Sequence, residues 1–527
     1  MQNSPALPAS SGGFGAIQSA TMNWVNNTQF YALANPFYWS FYNRWVRLWL
    51  AWYDGYVPGI HDGQNGMLSS KIGTTIVNRA VDTVMGGGIM FQNANKPTQR
   101  EKDGTSKALK FITSEFVPMS KFTYVLKQGF RSGFAGGSSL LKVNRDREGK
   151  LWLEALRMDR FFSTVDFRGK VVSAKSYIAS FNDTNPNGDN CGSFYIVEER
   201  YFDEDNIPTY EYKIYRASGT VNNNTFGSGT ASSLSWSSLP KKIAHAIKES
   251  YGTMRFNEPR RLPFSDSLGC VLLKATDGIS SLPQMQFGES ILANSMAYLY
   301  LYDYYLSCLS GDMYLGRGRV FIPKSMSRQG MGKGPGVQSN YNSGLDSFMY
   351  TQVEYQSTDD KKLESIQFSL RAAEWCEIRN NLLESIATSI GISVGTLASY
   401  LNDTSNRTAR EVSAEESATT LFVEEKRRLL EGPVNELLAI VTSYYGFTDR
   451  VEIRWSKSGF TNPQVLADTL SRAKQAGLIS GKKAHRLYNV DDDEEQVEAD
   501  WALVQEDMQR DQNSVFGDFA LGAGDVM

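Results

Sequence analysis

The chain has 527 residues, of which 41% are hydrophobic, 12% aromatic and 21% charged. That is enough apolar material for a sizeable core, which excludes a wholly disordered chain, and the length suggests about two to four domains. With 54 Lys and Arg against 57 Asp and Glu the net charge is −3, so no global positive field exists to coat the protein with nucleic acid.

Residues 1–23 are rich in Ser, Gly, Ala and Asn and read as a flexible arm. A dense aromatic stretch follows from Phe30 to Tyr56, with Trp24 just ahead of it, and residues 36–53 look helical. Such a helix either lies on a membrane surface or packs on a neighbouring element or subunit. The polar face has Arg44 and Arg47 but no Lys/Arg array, which favours packing. No charged residue precedes Arg44, so a positive signal-peptide region is missing, and no run of ~18 apolar residues predicts a membrane span.

Ser69-Ser70 is expected to cap a second helix with an apolar stripe at Ile72, Ile76, Val77, Ala80, Val81 and Val84, stopped by Gly86-Gly87-Gly88. Residues 104–132 read as further helix. From Ser138 to Ile214 the period changes to strands, and the Ser/Asn/Gly/Thr tract from Ser218 to Ser238 reads as a loop. Helix returns at 289–310. An insert at 311–363 holds the strand-like Arg319-Val-Phe-Ile-Pro323 and a Gly-rich loop, and a second helix is predicted over about 364–391.

A polar loop, Ser399 to Arg407, leads to a long helix from near Thr408 towards Tyr445. Its expected apolar face is Val412, Leu421, Phe422, Leu429, Leu430, Leu437, Leu438 and Val441, with a kink expected at Gly432-Pro433. A strand, Arg450 to Trp455, and two helices, one from Asn462-Pro463 to Ala476 and one after Ser480, complete the pattern.

The motifs speak against enzyme chemistry. The four cysteines, Cys191, Cys270, Cys308 and Cys376, form no C-x-x-C and read as small apolar residues; three scattered histidines offer little for catalysis or metal binding. Around Gly332-Lys333 a phosphate loop is incomplete: Ser327 stands where the first Gly belongs, and Gly334 follows the Lys. A G-x-S-x-G elbow is absent. The carboxylates Asp491 to Glu495 suit a helix start better than a metal, because successive side chains point apart. No catalytic, cofactor or metal site is therefore expected.

Residues 463–488 could form a helix-turn-helix with Lys482, Lys483 and Arg486 on its second helix. From Lys482 to Arg510, however, four basic residues face nine acidic ones, which opposes a DNA groove. The remaining feature is architectural. Two helices of mixed faces flank an insert that must close on itself, an arrangement that suits lateral packing in a ring or an ordinary intramolecular bundle.

In this setting the sequence resembles the portal proteins, or head-to-tail connectors, of tailed bacteriophages. The similar segments run in order: Tyr53-Asp54-Gly55, the Leu68-to-Gly86 helix and Gly88-Ile-Met-Phe91; Gly288-Glu-Ser290 and Tyr314-Leu-Gly-Arg-Gly-Arg-Val-Phe-Ile-Pro323; Ile390-Gly-Ile-Ser-Val-Gly-Thr-Leu397 and Arg407-Thr-Ala-Arg-Glu-Val412; then Val451-Glu-Ile-Arg-Trp455, Ala476-Gly-Leu-Ile-Ser480 and the acidic run. The resemblance spans roughly residues 50–510.

The resemblance implies an α+β portal fold with an α/β wing, helical stem, small α/β clip and helical crown, assembled as a ring usually of twelve subunits at one capsid vertex. After the arm come the wing at 24–285, stem helices at 286–310 and 364–397, the clip at 311–363 and the tunnel loop at 398–408. The wing resumes at 409–460, followed by the crown at 461–510 and a tail at 511–527. Implied partners are double-stranded DNA passing non-specifically through the channel, the terminase large subunit, a head-completion adaptor or tail protein, and the major capsid protein. No membrane or enzyme activity is implied, and the expected location is the virion, with assembly in the host cytoplasm. The competing reading is a soluble nucleic-acid-processing enzyme or a DNA-binding regulator.

The expected channel residues are Ser399, Asn402, Asp403, Thr404, Ser405, Asn406 and Arg407, a mostly uncharged set that would pass DNA without gripping phosphate. Arg410 is expected to pair with Glu411 or Glu415, whereas Arg407 is left open between phosphate and Asp403. In the clip, Arg317, Arg319, Lys324 and Lys333 form a local positive set suited to acidic partner surfaces.

Overall fold

The computed structural model describes residues 41–62, 66–94, 106–166, 168–184, 190–217, 231–251, 254–279, 286–315, 319–323, 350–353, 364–366, 371–397, 409–456, 463–488 and 499–506. Among the described residues the first element is a π-helical turn, Tyr42–Val46, running into α1, Arg47–Asp54. Phe41, Tyr42, Trp49, Leu50, Ala51 and Trp52 are buried, so this described part of the aromatic stretch anchors in the protein's own core, whereas residues 30–40 lie outside the described residues. Gly55, at φ +74, ends α1 in the left-handed region that glycine adopts without a steric penalty.

Helix α2, Ile72–Met85, buries all six residues of its predicted stripe. Its start differs from expectation. Lys71 takes the capping position at φ +53, and Ser70 Oγ accepts the Ile72 amide at 3.2 Å. Strand β1, Ile89–Asn93, follows.

The predicted helix over 104–132 is a broken run. Helix α3, Lys107–Phe111, passes through a π segment, Ile112–Phe116, into α4, Val117–Ser120; Lys121, at φ +51, then turns the chain into α5, Phe122–Gly136. Gly129 lets α5 approach the sheet beneath it: a Cβ there would sit 2.9 Å from Leu141 Cδ2 and 3.1 Å from Leu273 Cδ1.

Strands β2, Ser138–Arg145, β3, Leu151–Arg157, β4, Phe161–Val165, β5, Val171–Thr184, β6, Asn190–Phe202, and β7, Pro208–Ala217, fill the region predicted as β. The Ser/Asn/Gly/Thr tract is not all loop. Its end forms β8, Ala231–Leu234, and a 3-10 turn, Trp236–Ser238, whereas 218–230 lies outside the described residues. Helix α6, Lys241–Tyr251, and strands β9, Arg260–Arg261, and β10, Cys270–Lys274, follow. The larger sheet runs β4-β5-β6-β7-β8 with β9 beside β7, and a smaller one runs β10-β2-β3, both antiparallel.

Helix α7 spans Met296–Leu315, starting and ending later than predicted. Next come β11, Arg319–Pro323, β12, Tyr350–Val353, and β13, Glu364–Ile366, in a three-stranded sheet of order β12-β11-β13. Residues 364–366 were expected to be helical. They pair antiparallel with 319–321 instead, and α8 begins only at Ala372, ending at Ile390. A short α9, Val394–Leu397, precedes α10, Ala409–Tyr444, which runs unbroken through Pro433.

On α10, Phe422, Leu430, Leu437, Leu438 and Val441 are buried as expected, but Leu421 is 67% exposed and Val423 takes the core position. Strand β14, Val451–Trp455, pairs antiparallel with β1 across more than 350 residues of sequence. Helices α11, Pro463–Gln475, and α12, Gly481–Tyr488, lie where predicted, with helix again at 499–506. Of the cysteines, Cys270 is buried but Cys376 is exposed, so the small-apolar reading fits the first and not the second.

Candidate functional site: the paired helices and their exposed face

Helix α7 reads Met-Ala-Tyr-Leu-Tyr-Leu-Tyr-Asp-Tyr-Tyr-Leu from Met296, with aromatic and aliphatic residues on every face. One face is fixed to the core. At its base Ser290 Oγ donates to Phe134 O at 3.0 Å and the Gly288 amide to Ser138 Oγ at 2.9 Å. Two turns into the helix, Asp303 is 2% exposed and accepts the Ser70 amide at 2.9 Å through Oδ1. Its Oδ2 faces His61 Nε2 at 2.9 Å.

The His61 tautomer follows from the other ring nitrogen. Nδ1 accepts the Val57 amide at 2.8 Å, so the proton sits on Nε2 and is donated to Asp303. Although a buried His–Asp pair suggests half of a hydrolytic triad, both ring nitrogens are already engaged and neither is left to activate a hydroxyl. Ser307 adds a third tie, accepting the Leu68 amide at 2.9 Å and donating to Asp303 O at 2.8 Å.

Helix α8 packs on α7. Asp312 accepts from Arg371 Nη2 and Trp375 Nε1, both at 2.9 Å, and these two hydrogen bonds hold its carboxyl below the usual range. The Tyr305 and Trp375 rings lie 5.5 Å apart. The other faces of the pair meet solvent: Tyr298, Tyr300, Leu301, Tyr304 and Met313 on α7 and Ile378 on α8 are exposed, Leu301 by 44% and Tyr304 by 52%. A helix apolar all round is built to be covered all round.

The exit from α8 is equally fixed. Gly391, at φ +87, caps the helix. The Ser393 amide then donates to Thr419 Oγ1 at 2.9 Å, and Thr396 Oγ1 lies 3.3 Å from the same oxygen. Thr419 is fully buried. This hydroxyl cluster joins the chain just after α8 to α10.

Ser399, Asn402, Asp403, Thr404, Ser405, Asn406 and Arg407 lie outside the described residues, as do Arg317, Lys324 and Lys333. The side chains of Arg410, Glu411 and Glu415 are likewise outside the description; Arg319 opens β11, opposite Ile366. The described chain stops at Leu397 and resumes at Ala409. Asp303, His61, Ser307 and Thr419 escaped the sequence reading. The available signal was Asp303 standing inside the otherwise uncharged Tyr/Leu run from Met296 to Leu306.

Among the described residues no group of three or more His, Cys, Asp or Glu side chains could hold a metal ion, and no helix is long and apolar enough to cross a membrane. A family model described as "Phage portal protein, SPP1 Gp6-like" matches residues 66–511. The chain belongs to this phage portal protein family.

As a portal protein it serves as a connector of a phage particle, in a family whose role is structural rather than enzymatic. The family implies an oligomeric ring at the virion's portal vertex, joined to capsid and tail components. A solved structure titled "Neck of native GTA particle computed with C12 symmetry" aligns with a TM-score of 0.36 and 11% identity, covering 79% of this chain and 89% of that one. That likeness is too distant to add to the family match. No curated protein sequence matches the chain.

Proposed function

We propose that this portal protein is one subunit of a closed ring, of twelve copies in the virion, through whose bore double-stranded DNA passes during packaging and ejection. The single observation that carries this reading is α7, apolar on every face yet half uncovered in one chain. Heterologous packing of α7 and α8 on identical neighbours covers those faces, and a rotation that closes gives a ring.

In this reading the antiparallel sheets with their covering helices form the wing, together with α10 and β14. Helices α7 and α8 are the stem, residues 311–363 the clip, 398–408 the tunnel loop, and 461–510 the crown. Ser399, Asn402, Asp403, Thr404, Ser405, Asn406 and Arg407 face the duplex. Their near-neutral charge avoids the phosphate grip that a basic lining would exert. Arg317, Arg319, Lys324 and Lys333 meet acidic surfaces of the terminase large subunit during packaging and of an adaptor or tail protein afterwards. The wing rim contacts the major capsid protein. The chain itself carries no catalytic step, and the ring assembles in the host cytoplasm before it enters the virion.

Negative-stain microscopy of the purified chain tests the reading. Closed rings with an axial hole are expected; a field of single globular particles overturns it.

A further inference from the structure

Charge is distributed unevenly along this acidic chain. Between Arg216 and Arg261 there are seven Lys and Arg against two Asp and Glu, a net +5, so the rest of the chain carries −8. The fold gathers much of this charge on one lobe. Helix α6 turns Ile243 and Ile247 onto a small core with Phe194, Ile196, Ile214 and Leu239 at one end of the larger sheet.

Burying that face leaves Lys241, His245 and Lys248, at i, i+4 and i+7, in a row on the opposite face, with Lys242 beside it. The row is about 10 Å long. All three lysines are exposed and have no acidic partner within ion-pair distance among the described residues. Of the nearby acids, Glu258 is shared by Arg255 at 3.5 Å and Arg260 at 3.8 Å, and Glu249 lies 3.9 Å from His245. Arg216, exposed, lies over the Phe194 ring at the same small core.

We propose that this α6 lobe is a docking surface for the phosphate backbone of duplex DNA, separate from the bore and indifferent to sequence. Charge complementarity favours this occupant. Flexible, unpaired lysines on a helix face suit a polyanion carrying one charge per ~1.7 Å, and offer no fork geometry for reading bases. The proposal rests on the portal reading only for the identity of the polyanion.

The test uses assembled full-length protein and a labelled duplex blocked at both ends by streptavidin, so that it cannot thread a ring. Wild-type protein should bind it with a steep salt dependence. Lys241→Gln/Lys242→Gln/Lys248→Gln should weaken binding roughly tenfold or more at low salt and reduce the slope of log K against log salt by about 2.7. Mass photometry of the same samples separates the two readings. Loss of rings in the wild type counts against the portal assembly, whereas intact rings with unchanged affinity and slope overturn the lobe. Lysine-dependent binding of a polyglutamate peptide without binding of the blocked duplex also overturns it, and assigns the lobe to an acidic protein.

Discussion

Asp303 and His61 face each other at 2.9 Å, both almost wholly withdrawn from solvent, and join α7 to the loop that precedes α2. Each partner is fully committed: Asp303 also accepts the Ser70 amide, and His61 also accepts the Val57 amide. The pair therefore fixes the angle at which the Tyr-rich helix leaves the core.

Asp303→Asn tests this joint. The amide has one acceptor oxygen, so either the Ser70 N–H or the His61 Nε2–H loses its partner. Leaving a buried donor unmet costs about 1–3 kcal/mol. The expected result is a lower urea midpoint with an unchanged m-value; an unchanged midpoint contradicts the joint.

A second prediction concerns acid. In the core of the sheets Glu198 pairs with Arg200 at 2.6 Å and Lys142 at 3.2 Å. Burial alone would raise its carboxyl, but these two cations outweigh burial and hold it down to about 2. The folded value lies below the ordinary glutamate value, so this stabilisation is present above about pH 4.5 and is lost as pH falls towards 2. It amounts to something on the order of 3 kcal/mol. Glu198→Gln should be destabilised at pH 7, because Arg200 and Lys142 lose their buried partner. Its urea midpoint should also fall less between pH 5 and 3 than that of the wild type; parallel pH profiles contradict this assignment.

Elements governed by local pattern were legible in the sequence. The α2 stripe is one example, since all six of its apolar residues lie on one helical face and are buried. Elements decided by distant partners were not. Residues 364–366 became a strand because β11, more than 40 residues earlier, supplies their hydrogen bonds. The buried face of α10 includes Arg427, whose position continues the spacing of Val423, Leu430, Val434 and Leu437 but whose charge kept it off the expected apolar face. Its guanidinium donates to Val84 O at 2.9 Å and Ser456 O at 2.7 Å, so the face rotates and Leu421 is left outside. Helix α6 went unread because it has only two buried apolar positions. The Asp303–His61 joint spans 242 residues and leaves no local trace.

The tunnel-loop assignment predicts a salt-dependent packaging defect. On that assignment Asp403→Lys/Asn406→Lys adds positive charge to the bore lining, and it changes no residue of the Ser393–Thr419 cluster. Rings and capsids should form normally, while packaged DNA falls, most strongly at low salt, where phosphate attraction is least screened. Packaging unchanged at every salt concentration contradicts a channel position, and loss of rings makes the loop an interface element.

The central claim is that the exposed face of α7 is buried between neighbouring subunits. Mass photometry of the purified wild type beside Leu301→Asp/Tyr304→Asp tests it most directly. Both positions are already solvent-exposed in one chain, so the variant subunit should keep its fold, as far-UV circular dichroism would verify. The wild type should give a species of about 0.7 MDa, twelve times the 58.9 kDa chain, and the variant only subunit-sized particles. A variant that assembles to the same mass, or a wild type that stays monomeric at micromolar concentration, contradicts the account.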